Sequence, residues 1–140
     1  MNFAGFNYLS VLVAAVAAFA FGAAYYMTLA GPWLAALGKT KAEVMGPSGK
    51  PPAAPYIVAA IALIVMAWIL AGVMGHLGPG QVTLKNGVIS AGFLWLGFVV
   101  TTMAVNNAYG GRRSMLTVID SVHWLGALLI EGAVIGAMGT

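Results

Sequence analysis

Residues 117–139, TVIDSVHWLGALLIEGAVIGAMG, are apolar enough and long enough to cross a bilayer, yet they carry Asp120, His123 and Glu131. Two of the chain's three acidic residues lie in this stretch. At about 100° per residue, Asp120, His123, Ala127 and Glu131 fall on one helical stripe, so a single face holds every ionisable group of the segment. An ionisable side chain at membrane depth costs roughly 2.5 kcal/mol or more when it faces hydrocarbon. The stripe therefore has to face protein, water or a ligand, and the rest of the chain has to supply that shelter.

The chain has the composition to do so. Of its 140 residues 61% are hydrophobic and 6% charged, against roughly 25% charged in a typical soluble domain, and the mean hydropathy is +0.96. The expectation is an integral membrane protein. The absence of cysteine excludes disulfides, iron–sulfur clusters and thiolate metal sites. A net charge of +3, scattered over loops, does not suit a nucleic-acid partner. The first seven residues carry no Lys or Arg and the following apolar run outlasts a signal core, so no cleaved signal peptide is expected.

Hydropathy and breakers divide the chain into four spans, about 8–30, 55–77, 86–108 and 117–139. The first has Ala14, Ala18 and Gly22 at four-residue spacing, a ridge for close helix packing. Tyr25, Tyr26 and Trp33 read as an interfacial aromatic belt. Residues 31–54 read as one long loop, broken by Gly46-Pro47 and Pro51-Pro52, in which Trp33 to Leu37 has the makings of a short amphipathic turn. Pro55 suits the first turn of span two and Asn86 the cap of span three. The expected fold is all-α: a single-domain integral membrane four-helix bundle with sequence neighbours antiparallel. An even number of spans puts both termini on one side. The loops after spans one and three hold Lys39, Lys41, Lys50, Arg112 and Arg113, whereas the other side holds Lys85. The positive-inside rule then makes 31–54 a cytoplasmic loop and places both termini on the non-cytoplasmic side.

In order along the chain, Asn7, Gly22 with Tyr25-Tyr26, Trp33, Trp95-Leu96-Gly97-Phe98 with Thr101-Thr102 and Asn106, and His123-Trp124 give a pattern that resembles a family of small bacterial four-helix membrane proteins classified as a domain of unknown function. The resemblance covers nearly the whole chain and implies a multi-pass protein of the bacterial inner membrane. It implies no activity and transfers no catalytic residue. Glu131 is outside the pattern.

The candidate polar intramembrane site comprises Asp120, His123, Glu131, Thr102 and Asn106. Asp120 and His123, at i and i+3, are spaced for a carboxylate to orient an imidazole in a proton relay or half a metal site; the plainer reading is a polar clasp with Asp120 paired to Arg112 or Arg113. No complete metal set exists, because His76, the other histidine, sits at the opposite membrane surface. That separation also excludes a haem held by both histidines of one subunit. Glu131 is expected as a neutral acid, serving either proton-coupled transport or a hydrogen bond to Asn, Thr or backbone of a neighbouring helix. Trp95, Phe98, Thr102 and Asn106 share one stripe at steps of three, four and four, where Thr and Asn are more often interhelical glue than a binding site. Trp68, Trp95 and Trp124 either pack or line a pocket for a flat ligand. Gly22, Gly97, Gly132 and Gly136 are the candidate helix-packing glycines.

With no nucleotide loop and no nucleophile-plus-base pattern, the leading reading is non-enzymatic. It is an inner-membrane protein embedded in lipid, without cofactor, acting as a homo-oligomer or as an accessory subunit of a larger membrane complex. The alternatives are a small proton-coupled transporter or channel using Glu131 with Asp120 and His123, and a module binding lipid, quinone or pigment. The five-to-one distribution of basic residues makes the topology testable. A reporter active only outside the cytoplasm should be active when fused after Thr140, and cytoplasmic labelling of both ends would contradict the assignment.

Overall fold

The computed structural model describes residues 7–139, and they are all-helical. The charge-free start on which the leader expectation partly rests lies, Asn7 apart, outside the described residues. Four helical spans are long and apolar enough to cross a membrane: Tyr8–Thr28, Ala53–Gly75, Leu84–Tyr109 and Ser114–Met138. The first is α1, opened by Asn7, whose side chain accepts from the Ser10 N–H and so satisfies one of the donors a helix start leaves free.

Residues 31–54 are not one loop. Ala30–Leu37 forms α2, which ends on Gly38 in the left-handed conformation, and Lys41–Met45 forms α3. The turn expected at Trp33 to Leu37 is thus the body of a helix. Thr40 and Glu43 close a reciprocal capping box on α3: the Thr40 N–H donates to Glu43 Oε2 at 2.6 Å and the Glu43 N–H to Thr40 Oγ1 at 3.3 Å. These bonds hold the Glu43 carboxyl below the usual carboxylate range.

The second span, α4 (Ala53–Gly75), carries Pro55 in its first turn, where a missing N–H costs nothing. The third begins with α5 (Leu84–Leu94). Its cap is Thr83, whose hydroxyl accepts from the Asn86 N–H, while the Asn86 carboxamide reaches back to the Gln81 carbonyl at 2.8 Å. This corrects the expected cap by three residues. Trp95–Val99 is then a wide π-turn, after which α6 (Val100–Tyr109) completes the span. The fourth span is α7 (Ser114–Met138).

α7 is the hub: it packs against α1, α2, α4, α5, the π-turn and α6, while α1 also packs on α4 and α4 on α5. Of the apolar stretch of α7, 44% is buried, against 6% in the third span. The core around α7 is built from small residues, Ala14, Ala15, Ala18, Ala67, Ala71, Ala91 and Ala127, with Leu63, Leu70, Met74, Leu128 and Ile135 between them. In lipid there is little hydrophobic gain in bringing two helices together, so contact depends on how closely backbones approach.

Glycines set that approach. A Cβ at Gly87 would overlap the Gly132 carbonyl, one at Gly132 the Gly87 carbonyl, and one at Gly136 the Thr83 carbonyl. Gly132 and Gly136 therefore face α5 inside the bundle. At Gly97, read as a packing glycine, an added Cβ would meet nothing within 4 Å among the described residues. Gly87→Ala should push α5 off α7 and lower the unfolding free energy by about 1–3 kcal/mol. Gly92→Ala, where the new Cβ meets nothing within 4 Å, should raise it by about 0.5–1 kcal/mol through the lost flexibility of the unfolded chain. Unfolding in detergent micelles measures both, and equal effects would refute the contact.

Candidate functional site

The ionisable stripe of α7 divides into two sites. The first lies where the end of α1 meets the start of α7, at the end of the bundle bearing Arg112 and Arg113. Because the two helices are antiparallel, Phe21, Gly22, Tyr25 and Tyr26, on one face of α1, come level with Ile119, Asp120 and His123. The Tyr25 hydroxyl donates to the Ile119 carbonyl at 2.7 Å and the Tyr26 hydroxyl to Asp120 Oδ1 at 2.8 Å. Trp33 of α2 packs on Tyr26, with ring centroids 5.8 Å apart, and its side chain also faces the Asp120 carboxyl.

His123 is boxed by rings. Its imidazole lies 4.8 Å from Tyr26, 5.6 Å from Tyr25 and 6.1 Å from Phe21, stacked almost parallel on the last at 7°, with Trp124 edge-on at 4.8 Å. Gly22 makes the box possible, since a Cβ there would stand 2.7 Å from Nε2. The histidine is 7% exposed and its Nδ1 has no hydrogen-bond partner among the described residues. Asp120 bonds Tyr26, not His123, and no charged clasp forms between Asp120 and the preceding hairpin. Arg113 instead donates to the Ala35 carbonyl, holding the end of α2 against the bundle. The last turn of α2 supplies the acceptor: the Ala35 carbonyl takes the Gly38 N–H and has a second lone pair for the guanidinium.

Further bonds bind the third span to the same end of α7. The Trp95 indole donates to the Ser121 carbonyl at 2.7 Å, and the Asn107 carboxamide to Thr117 Oγ1 at 2.9 Å. Trp95 is thus turned inward. Phe98, at 71% exposure, and the exposed Thr102 and Asn106 face away from the bundle. The single stripe expected for these four residues is broken because the π-turn inserts an extra residue between Trp95 and the rest. Trp68 is exposed on α4 and Trp124 lies against His123, so the three tryptophans serve different surroundings.

The second site is Glu131, fully buried with 0% exposure among core residues of α1, α4 and α7. Neither carboxyl oxygen has a hydrogen-bond partner among the described residues, so the expected bond to Asn, Thr or a backbone group is absent there. One turn away on either side along α7 are Ala127 and Ile135, both buried and apolar, and the next residue, Gly132, is in backbone contact with Gly87 of α5. Among the described residues no three His, Cys, Asp or Glu side chains lie together as a metal would need. His76 caps the far end of α4.

Sequence reasoning read Tyr25, Tyr26 and Trp33 as a membrane-surface belt and missed that they also surround Asp120 and His123. A signal for their inward role did exist: in antiparallel spans the last turn of the first and the first turns of the fourth are level, so a phenol pair there faces the acid and the imidazole.

Residues 9–136 match the family described as a protein of unknown function, DUF1761. The chain belongs to the DUF1761 family. No curated protein and no solved structure matches it. In this DUF1761 chain six residues of the quoted pattern, Gly22, Tyr25, Tyr26, Trp33, His123 and Trp124, meet at one site. The bond between Tyr26 and Asp120 gives that site a direct test. Tyr26→Phe should cost about 1–2 kcal/mol of stability in the wild-type background. In an Asp120→Ala background the same change should cost far less. Additive costs in the double-mutant cycle would show that the two side chains do not interact.

Proposed function

We propose that this chain is a non-enzymatic protein of the bacterial inner membrane whose work is assembly, as an oligomer or as an accessory subunit of a larger membrane complex. The observation that carries the reading is the face of the third span beyond the π-turn. Thr101, Thr102 and Asn106 are exposed there, and the side chains of Thr102 and Asn106 make no hydrogen bond among the described residues. Polar side chains on a membrane-facing surface are costly towards lipid and are usually met by another helix. The chain thus spends its own small-residue contacts on sealing α7 and keeps a polar helix face for something else.

A second reading, proton-coupled transport through Glu131, draws on that carboxyl's lack of a partner. The two are separated by Glu131→Gln, which keeps size and hydrogen-bonding ability and removes titration. On the assembly reading, wild-type protein extracted gently from native membranes runs as a species larger than its 14.4 kDa chain. Glu131→Gln protein does the same with unchanged thermal stability, and neither moves protons in liposomes. A monomer with pH-dependent proton flux, abolished by Glu131→Gln, would replace the assembly reading with the transport one.

A further inference from the structure

We infer that the occupant of the exposed third-span face is a second copy of this chain, paired α6 to α6 about a two-fold axis along the membrane normal. The inference rests on the assembly reading and names its partner.

Four features of the face point to its own likeness. First, two rows at four-residue spacing run side by side along the outside of the span: Gly97, Thr101 and Val105, and Phe98, Thr102 and Asn106. Thr101, Thr102, Val105 and Asn106 line a shallow groove of about 300 Å³ between them. Rows at that spacing on two identical helices interdigitate, ridge into groove. Second, the inner row begins with a glycine and a threonine four apart, the small-xxx-small arrangement that lets two membrane helices approach. Gly97 has open space where its Cβ would be, and Thr101 has folded its hydroxyl back on the Gly97 carbonyl at 2.9 Å, which leaves the ridge flat and apolar.

Third, the polar groups are self-complementary. A carboxamide and a hydroxyl each donate and accept, so Asn106 satisfies Asn106 of a copy, and Thr102 satisfies Thr102. Fourth, copies share one orientation in the membrane, so a two-fold axis along its normal brings the same residue of each chain to the same depth. Thr102 and Asn106 lie about 10 and 5 Å inside the end of the span. No charged residue occurs between Leu94 and Gly111 to oppose like against like. The opposite side of α6 is already taken, with Asn107 bonded to Thr117 of α7. Hence the pairing adds to the bundle without opening it.

The cysteine-free sequence gives a clean experiment. Val105→Cys places a thiol in the groove at a position 55% exposed, and Ile61→Cys places one on α4 at a position 58% exposed. Both full-length variants are oxidised with copper phenanthroline in native membranes at low expression. The expected result is a disulfide-linked dimer for Val105→Cys and little for Ile61→Cys. Adding Asn106→Ala should lower the Val105→Cys dimer about three- to tenfold, whereas Asn106→Gln should retain it. Unchanged helical circular dichroism would show that these surface variants fold. Absence of the Val105→Cys dimer, or equal cross-linking at Ile61→Cys, overturns the inference. If the wild-type chain nevertheless runs in a larger complex with another protein, the assembly reading stands and the second copy does not. If it runs as a monomer, both fall.

Discussion

Three ionisable side chains on one membrane helix cannot face lipid, and that constraint orders the fold. Asp120, His123 and Glu131 share a stripe, so α7 has to be surrounded on that side, and it becomes the hub against which every other span packs. The surrounding helices meet the requirement with alanine and glycine because close backbone approach is the main source of helix attraction in lipid. Along the stripe the solutions differ. Near the Arg112–Arg113 end the helices leave room for rings, and phenols, indole and imidazole provide hydrogen bonds and quadrupole contacts around Asp120 and His123. Farther along, the Gly87–Gly132 contact draws the helices together and Glu131 is enclosed without a partner.

The third span follows from the same economy. α5 holds its place through Gly87 and Gly132, but continuing that packing along an unbroken helix would turn the Thr102 and Asn106 row with Trp95. The π-turn breaks the phase. It leaves the Trp95 indole on the Ser121 carbonyl and releases the polar row to the outside. Such wide turns recur at functional positions because they re-aim side chains without ending the helix. Here the result is one span with a structural half and a half available to a partner.

Much of this was legible in the residues. The four spans follow from hydropathy and from Gly-Pro breakers, and the ionisable stripe from helical periodicity. The roles of particular groups were harder to read, for physical reasons. Tyr25 and Tyr26 have the chemistry of membrane-surface aromatics, and only the pairing of α1 with α7 shows that they turn inward. The π-turn at Trp95–Val99 leaves no signature in an apolar sequence, so uniform 100° steps gave the wrong face for Trp95. Glu131 was expected to find a donor because buried carboxyls usually do, and nothing local in the sequence reveals that no donor would come within reach of it among the described residues. Arg113 was matched to the nearest acid, whereas the end of a helix not foreseen as such supplied its acceptor.

The central claim is that the α7 stripe from His123 to Glu131 is sealed from water, and Ala127, between them with 0% exposure, is the place to test it. In a chain without cysteine, Ala127→Cys adds a single sulfur to that position. Labelling it in intact membranes and inverted vesicles with a charged, water-soluble thiol reagent measures aqueous access from each side. The account expects no labelling from either side until the protein is denatured. Rapid labelling of the folded protein from one side would reveal a water path to the stripe and contradict the sealed bundle.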